Sequence, residues 1–126
     1  MTTTLDLDPV QEAVLIAAQN DAFRHSILAN LPVADAPQGQ FEMTRGVAAL
    51  GIDAQLELTR RVAAFDGFNA DSDPQGWHEM GVIDLDGTTV WFKVDLYDVD
   101  YQYGSPEPSD PLQTRRVLTL LLPSEY

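Results

Sequence analysis

Two strand-forming runs joined by a two-residue turn constrain the fold of this chain more than any other feature. Trp77–Leu85 and Thr88–Tyr97 have strand composition, and the dipeptide Asp86-Gly87 between them is typical of a tight hairpin. A two-residue turn fixes the register, so that Ile83 faces Val90. We expect the apolar face of this hairpin to pack on the core; its members are Gly81, Ile83, Leu85, Val90, Phe92, Val94 and Leu96.

The opposite face of the hairpin mixes aromatic and charged side chains. The same register pairs Asp84 with Thr89, Val82 with Trp91, Met80 with Lys93 and His78 with Asp95, and Tyr97 continues the row. A carboxylate facing an imidazole orients the ring for proton transfer. His78 and Asp95 are therefore candidate catalytic residues, with Lys93 and Tyr97 beside them. The simpler interpretation is a cross-strand ion pair worth less than about 1 kcal/mol, since no nucleophile is evident nearby.

A helix is predicted near the N-terminus. Asp8 suits the N-cap, Pro9 the first helical position, and Gln11 completes a capping box, so the helix should run from about Pro9 to Ala29. Its buried stripe is expected to contain Val10, Val14, Ala17 or Ala18, and Ala22. The loop that follows is marked by Pro32, Pro37 and Gly39.

Further elements are predicted on both sides of the hairpin. Alternation favours a short strand at Phe41–Thr44, and a helix from about Ala54 to Phe65 should be capped by Asp53. The buried side of that helix would carry Leu58, Val62 and Phe65. Residues 113–122 are compatible with a strand or a helix, but the Val, Thr and Leu content of Arg115–Leu122 favours a strand.

Together these elements predict an α+β fold, with a three- to four-stranded antiparallel sheet and two helices packed on one face. A length of 126 residues fits a single domain over 1–126, with residues 1–8 as a flexible N-terminus. The chain contains no cysteine, which excludes disulfides and thiolate chemistry and fits a reducing compartment. With no secretory signal pattern and no membrane-spanning apolar run, we expect a cytoplasmic protein, and no cofactor.

The charge of the chain is concentrated in one segment. The formal net charge is −13, and residues 66–110 carry 11 acidic side chains against the single cation Lys93. Such a field repels nucleic acid and anionic lipid, and it attracts cations and basic protein surfaces. The simplest alternative is that the charge only keeps the protein soluble.

One acidic stretch has the spacing of a calcium loop. Asn69, Asp71 and Asp73 alternate as oxygen ligands would, but Pro74 replaces the glycine of the sharp turn, and Met80 stands where a glutamate is needed. These three residues are weak candidate metal ligands. Turn formation and capping of local backbone donors by their side chains explain them more simply.

Tyrosines and carboxylates are interleaved at the end of the second hairpin strand and beyond it. Tyrosine supplies rigid contact area in interfaces, and carboxylates select a basic partner. The candidate partner-binding residues are Asp84, Asp86, Trp91, Asp95, Tyr97, Asp98, Asp100, Tyr101 and Tyr103. An exposed row from Trp91 to Tyr97 would also favour a homodimer.

Several motifs resemble a family of small bacterial proteins catalogued only as domain of unknown function 3768. They are NDAFR (20–24), LTRRVAAFDGF (58–68), NADSDPQGWHEMG (69–81), VWFKVDLYD (90–98), GSPEPSDP (104–111) and TRRVLTLLLPSEY (114–126). The resemblance covers most of the chain from Asn20 to Tyr126. It implies a bacterial, intracellular protein in one domain, and it implies no activity.

The sequence therefore favours a non-enzymatic acidic protein that binds a basic protein surface rather than nucleic acid or membrane. A more specific form of this hypothesis is a nucleic-acid mimic that inhibits a restriction or CRISPR complex. The alternatives are a small-ligand-binding protein or enzyme with a site around His78 and Asp95, and an accessory domain whose charge only confers solubility.

Overall fold

The computed structural model describes residues 7–27 and 36–126. Its elements, in chain order, are α1 (Pro9–Ser26), β1 (Gly39–Met43), α2 (Arg45–Ala48), α3 (Ile52–Ala64), β2 (Met80–Leu85), β3 (Thr88–Tyr97), β4 (Arg115–Leu121) and a single 3₁₀ turn (Pro123–Glu125). Outside the described residues lie the predicted helix end at Ala29, the loop residue Pro32 and all but the last two residues of the predicted flexible N-terminus.

The four strands form one mixed sheet in the order β1-β4-β3-β2. The α+β class and the four-stranded sheet are confirmed, but the prediction of a purely antiparallel sheet is wrong, because β1 runs parallel to β4. Among the strands of the described residues, only β2 and β3 are joined by a tight turn, which forces an antiparallel pair. Between β1 and its partner β4 lies most of the chain, so no turn fixes their relative direction.

The hairpin has the predicted register. It runs from Met80 opposite Lys93 to Leu85 opposite Thr88. Asp86 (φ 50°) and Gly87 (φ 89°) are both left-handed, as a turn that matches the twist of two strands requires. The prediction that β2 begins at Trp77 is wrong by three residues, because the chain before Met80 forms a capped turn instead.

The core lies between one face of the sheet, here called the core face, and the helices α1 and α3. Ile83, Val90, Phe92, Val94, Leu118 and Leu120 from the sheet form one cluster with Phe23, Val47, Leu58 and Val62. Leu58 and Val62 are buried as predicted, and the partly buried Phe65 packs against them. Two helices on one face of the sheet are thus confirmed.

The first helix begins as predicted but buries a different side. The capping box between Asp8 and Gln11 is present. Val10 and Val14 are 73% and 64% exposed, however, and of the predicted stripe only Ala17 is buried. The buried side consists of Ile16, Ala17, Asn20, Phe23 and Arg24. Two polar residues on the inner side explain why a search for an apolar stripe selected the wrong face.

The second predicted helix is also shifted. It begins at Ile52, after Gly51 at φ 99°, so Asp53 lies inside the first turn and is not the N-cap. A further single-turn helix, α2, was not expected from the sequence. Thr44 caps it, and Glu125 from the C-terminal turn accepts hydrogen bonds from the Thr44 hydroxyl (2.6 Å) and the Gly46 amide (2.9 Å).

Gly81 is the tightest point between β2 and the core. A β-carbon there would overlap the ring of Phe92 and lie 2.8 Å from a ring carbon of Phe65. We predict that Gly81→Ala lowers the free energy of unfolding by about 1–3 kcal/mol, the usual cost of overpacking. Gly104→Ala is the matched control, because a β-carbon at that position would meet no atom within 4 Å. Urea unfolding of both variants tests this; equal stabilities would contradict it.

Candidate functional site

The topology gathers most of the acidic segment at one end of the sheet. β2 begins, β3 ends and β4 begins at this end, so the loops 65–79 and 98–114 both project there; we call it the loop end. The acidic side chains at the loop end are Asp66, Asp71, Asp73, Glu79, Asp95, Asp98, Asp100, Glu107 and Asp110. Asp84 and Asp86 lie at the opposite, turn end.

The predicted partner-binding residues are therefore divided between two places. Asp84 and Asp86 are separated from Asp98 and Asp100 by the ten residues of β3, or roughly 30 Å of extended chain. The structure brings Asp95, Tyr97, Asp98, Asp100, Tyr101 and Tyr103 together at or next to the loop end. Trp91 lies in between, on the sheet face opposite the core face, which we call the polar face.

Several acids at the loop end hold the loops in shape. Asp73 is only 5% exposed, and its carboxylate accepts hydrogen bonds from the amides of Trp77 (3.1 Å) and His78 (3.1 Å). Asp98 accepts from the amides of Asp100 and Gln102. Asp100 itself is exposed. Some of these carboxylates therefore fix the loop backbone through hydrogen bonds, and others are exposed to solvent.

The stretch with calcium-loop spacing also acts as a cap. Asn69 accepts hydrogen bonds from the amides of Asp71 (2.9 Å) and Ser72 (3.1 Å), and Asp73 caps the turn that follows. Asp71 is exposed. Over residues 7–27 and 36–126, no group of three or more His, Cys, Asp or Glu side chains is arranged to hold a metal ion.

The polar face carries one ion pair and one aromatic pair. Lys93 Nζ lies 2.7 Å from Asp95 Oδ2, and this hydrogen bond is the main cause of the raised pKa of Lys93. Tyr126, from the C-terminal end, packs edge-on against Trp91 at 5.7 Å between ring centroids. Asp95, predicted to orient a histidine, is paired with a lysine of its own strand.

His78 contacts Asp21 and not Asp95. The strand ladder ends at Met80, and His78 has a left-handed backbone (φ 57°) that is held by the Asp73 cap. The ring consequently turns towards α1, where its Nδ1 lies 2.9 Å from Asp21 Oδ1. The predicted His78–Asp95 pair is wrong for this reason. Because an ionised carboxylate only accepts, Nδ1 carries the proton and Nε2 of a neutral ring is an acceptor.

Asp21 also pairs with a buried arginine. The Arg24 side chain is almost fully buried, and its guanidinium forms an ion pair with Asp21. It also donates hydrogen bonds to the carbonyls of Val62 (2.8 Å) and Phe65 (3.0 Å) at the end of α3. Asp21 thus lies between Arg24 and His78, and the three form a network that joins α1, α3 and the loop before β2.

Aromatic rings complete this network. Phe68 stacks on the His78 ring, with 4.1 Å between centroids and planes within 1°. The Arg24 guanidinium lies 5.1 Å from the Phe68 centroid and 5.8 Å from that of Phe92, which is cation–π distance. The His78 ring is therefore fixed by Asp21 and by Phe68 together.

A second buried arginine secures α1 to β4. Arg116 donates to Asn20 Oδ1 (2.6 Å) and Gln19 Oε1 (2.9 Å), and burial lowers its pKa to about 10. Asn20 in turn donates to the carbonyl of Trp77 (2.9 Å), next to His78. On the inner side of α1, Asn20 therefore holds the loop before β2, and Arg24 holds the end of α3.

A pocket of about 230 Å³ opens beside this network. Its walls include Asp21 and His25 from α1, Phe65 and Asp66 after α3, and Phe68 stacked against His78. His78 could accept or donate a proton there. The described residues that line the pocket include no Ser, Thr, Cys or Lys.

Sequence reasoning missed Asp21, Arg24 and Phe68. The spacing of Asp21 and Arg24 places them as neighbours on a helix, which is a visible signal for an ion pair. The partner His78 is 57 residues away, and no local pattern links it to Asp21. A polar residue on the inner side of a helix would have been the useful clue.

Two glutamates should give opposite pH effects on stability. Burial, reinforced by Asp73 and Asp95, raises the pKa of Glu79, whereas the Thr44 hydroxyl and backbone amides lower the pKa of Glu125. A raised carboxyl pKa contributes stability below the unfolded value, near 4.5, that is lost as pH rises through the folded value. A lowered one contributes stability above 4.5 that is lost on acidification.

We therefore predict that Glu79→Gln is more stable than the wild type at neutral pH and that this gain disappears in acid. Glu125→Gln should be less stable at neutral pH, and its deficit should shrink in acid. Urea unfolding between about pH 3 and 7 measures both, in the range where carboxylates titrate. The same sign of change for both variants at neutral pH would contradict the assignment.

None of the described helices combines the length and apolar character needed to cross a membrane. No curated protein and no solved structure matches the chain. The family model described as "Protein of unknown function (DUF3768)" matches residues 43–125, from the end of β1 to the C-terminal turn. The match covers more than half of the chain, and it includes β2, β3, β4 and both loops of the loop end. The protein therefore belongs to the DUF3768 family.

Proposed function

We propose that this protein is a non-enzymatic binding protein and that its loop end takes up a basic surface of a partner protein. The observation that supports this most is the topology, which places two acid-rich loops at one end of a four-stranded sheet. Asp84 and Asp86, at the turn end, are outside the proposed surface.

The loop end offers contact area as well as charge. Tyr103 is 73% exposed, and Tyr97 and Tyr101 are half-buried beside it. Tyrosine side chains add buried area at low entropic cost, and surrounding carboxylates select arginine and lysine. The backbone around them is fixed by Asp98, whose amide also donates to the Tyr103 carbonyl (2.8 Å). A pre-shaped loop loses little entropy on binding.

The cations at this end neutralise the surface only in part. Lys93 is paired with Asp95, and the guanidinium of Arg24 is buried against Asp21. Arg115, opposite Tyr97 where β4 begins, offsets one of the carboxylates. Asp66, Asp71 and Asp100 remain exposed, so an approaching cation meets a negative field. We expect fast association that weakens steeply as salt is added.

The more specific form of the proposal is nucleic-acid mimicry. A partner that normally binds phosphates would meet carboxylates at the loop end, so the protein and nucleic acid would compete for one site. A partner recovered from cell extract that binds nucleic acid and this protein simultaneously would exclude mimicry and leave only basic-surface binding.

We predict that Asp95→Asn, Asp98→Asn and Asp100→Asn, made together, weaken partner binding and reduce its salt dependence. Asparagine keeps the oxygen with which Asp98 holds its loop, so the loop end should stay folded. The partner is first isolated by affinity capture at low salt and eluted at high salt. Its affinity for the wild type and the variant is then measured by titration at two salt concentrations.

The matched control is Asp53→Asn, Asp84→Asn and Asp86→Asn, made together, which removes the same charge away from the loop end. The proposal requires near wild-type binding by this control. If both triple variants lose affinity equally, the attraction depends on net charge alone, and the loop end is not the binding surface. Sedimentation of the free protein tests the remaining possibility, that the surface binds a second copy.

A further inference from the structure

We propose that the pocket beside Asp21 and His78 binds the guanidinium or ammonium group of a ligand. The pocket lies at the loop end but on the helix side, away from Asp95 and Tyr97. Its volume of about 230 Å³ is below the range of roughly 300–1,000 Å³ that is common for drug-sized ligands. It therefore suits one functional group or one side chain.

The polar atoms that remain available in the pocket are mostly acceptors. Asp21 fixes the proton of His78 on Nδ1, which leaves Nε2 of the neutral ring as an acceptor. The second Asp21 oxygen lies 3.1 Å from the same His78 nitrogen and keeps a further lone pair, and Asp66 is exposed at the rim. A ligand that carries N–H donors suits acceptors of this kind, whereas a carboxylate or phosphate does not.

The backbone adds to the same preference. α1 ends at Ser26 and α3 ends at Ala64, and both C-termini are close to the pocket, since Arg24, His25 and Ala64 line it. A helix C-terminus carries partial negative charge. Two such ends favour a cation.

Two groups in the pocket repel a cation, and the effect of each is limited. Arg24 is positive, and its buried Nε–H has no hydrogen-bond partner among the described residues, but its charge is compensated by Asp21, and its Nη1 donates to the carbonyls of Val62 and Phe65. His25 is exposed at the rim and repels a cation only when it is protonated.

The apolar part of the pocket suits an alkyl chain. Phe65 and Phe68 form its wall, and Phe65 packs edge-on against Phe68 at 4.8 Å between centroids. An arginine or lysine side chain would place its methylenes there and its charged head near Asp66 and His78. The cationic group has two conceivable sources. One is a side chain of the basic partner, and this case rests on the proposed function. The other is a free small amine, which is independent of the proposed function.

The test is an NMR titration at one fixed pH with n-butylguanidinium and n-butylammonium, with n-butanol as the neutral control. We expect saturable shifts confined to Phe68, His78 and their neighbours with the two cations and none with butanol. Asp66→Asn should weaken binding by about 2- to 5-fold, the size of an exposed ion pair. Asp53→Asn, at the other end of α3, should not.

His78→Asn is the second variant, because asparagine tolerates the left-handed backbone and leaves the Asp21–Arg24 pair intact. His78→Asn should weaken cation binding, whereas Asp53→Asn should leave it unchanged. Shifts spread over the whole surface, or equal weakening by Asp66→Asn and Asp53→Asn, would overturn the proposal. So would binding of butanol as tight as that of the cations.

The two sources are separated with the captured partner. If Asp66→Asn and His78→Asn weaken partner binding as well as amine binding, the pocket holds a partner side chain. If they weaken amine binding alone, the ligand is a free amine. If the loop-end triple variant has no effect while the amines still bind in the pocket, the proposed function fails and the pocket assignment survives.

Discussion

The buried guanidinium of Arg24 is the constraint on which the rest of the candidate site depends. A charge that is almost completely removed from water needs a counter-charge and hydrogen-bond acceptors, or it costs several kcal/mol. Asp21 supplies the charge, and the carbonyls of Val62 and Phe65 supply acceptors. These contacts hold the second half of α1 against the end of α3. They also place Asp21 where its carboxylate can hold His78, and they create the wall of the pocket.

Local chemistry explains which parts of the fold the sequence predicted. The register of β2 and β3 follows from two residues, Asp86 and Gly87, and the capping box of α1 follows from Asp8 and Gln11. Each of these is decided within a few residues. The direction of β1 is decided by pairing with β4, near the other end of the chain, and no local signal encodes it. The inner face of α1 was missed because Asn20 and Arg24 are buried for their hydrogen bonds, which an apolar pattern does not show.

The same distinction applies to the site. The expectation that Asp95 orients His78 is wrong, because the Asp73 cap gives His78 a left-handed backbone and turns its ring off the sheet to Asp21. The acidic segment, which looked continuous in sequence, is divided by β3 into a large group at the loop end and a small one at the turn end. Several of its carboxylates, such as Asp73 and Asp98, bind backbone amides, so composition alone overstated the charge available to a partner.

The pocket depends on Asp21, which both compensates Arg24 and fixes the proton of His78. The most direct test of this account is a long-range ¹H–¹⁵N spectrum of the neutral form of the His78 ring, which distinguishes its two tautomers. The account predicts a proton on Nδ1 and an unprotonated Nε2. A ring with its proton on Nε2 and a bare Nδ1 would contradict the contact with Asp21, and the acceptor pocket with it.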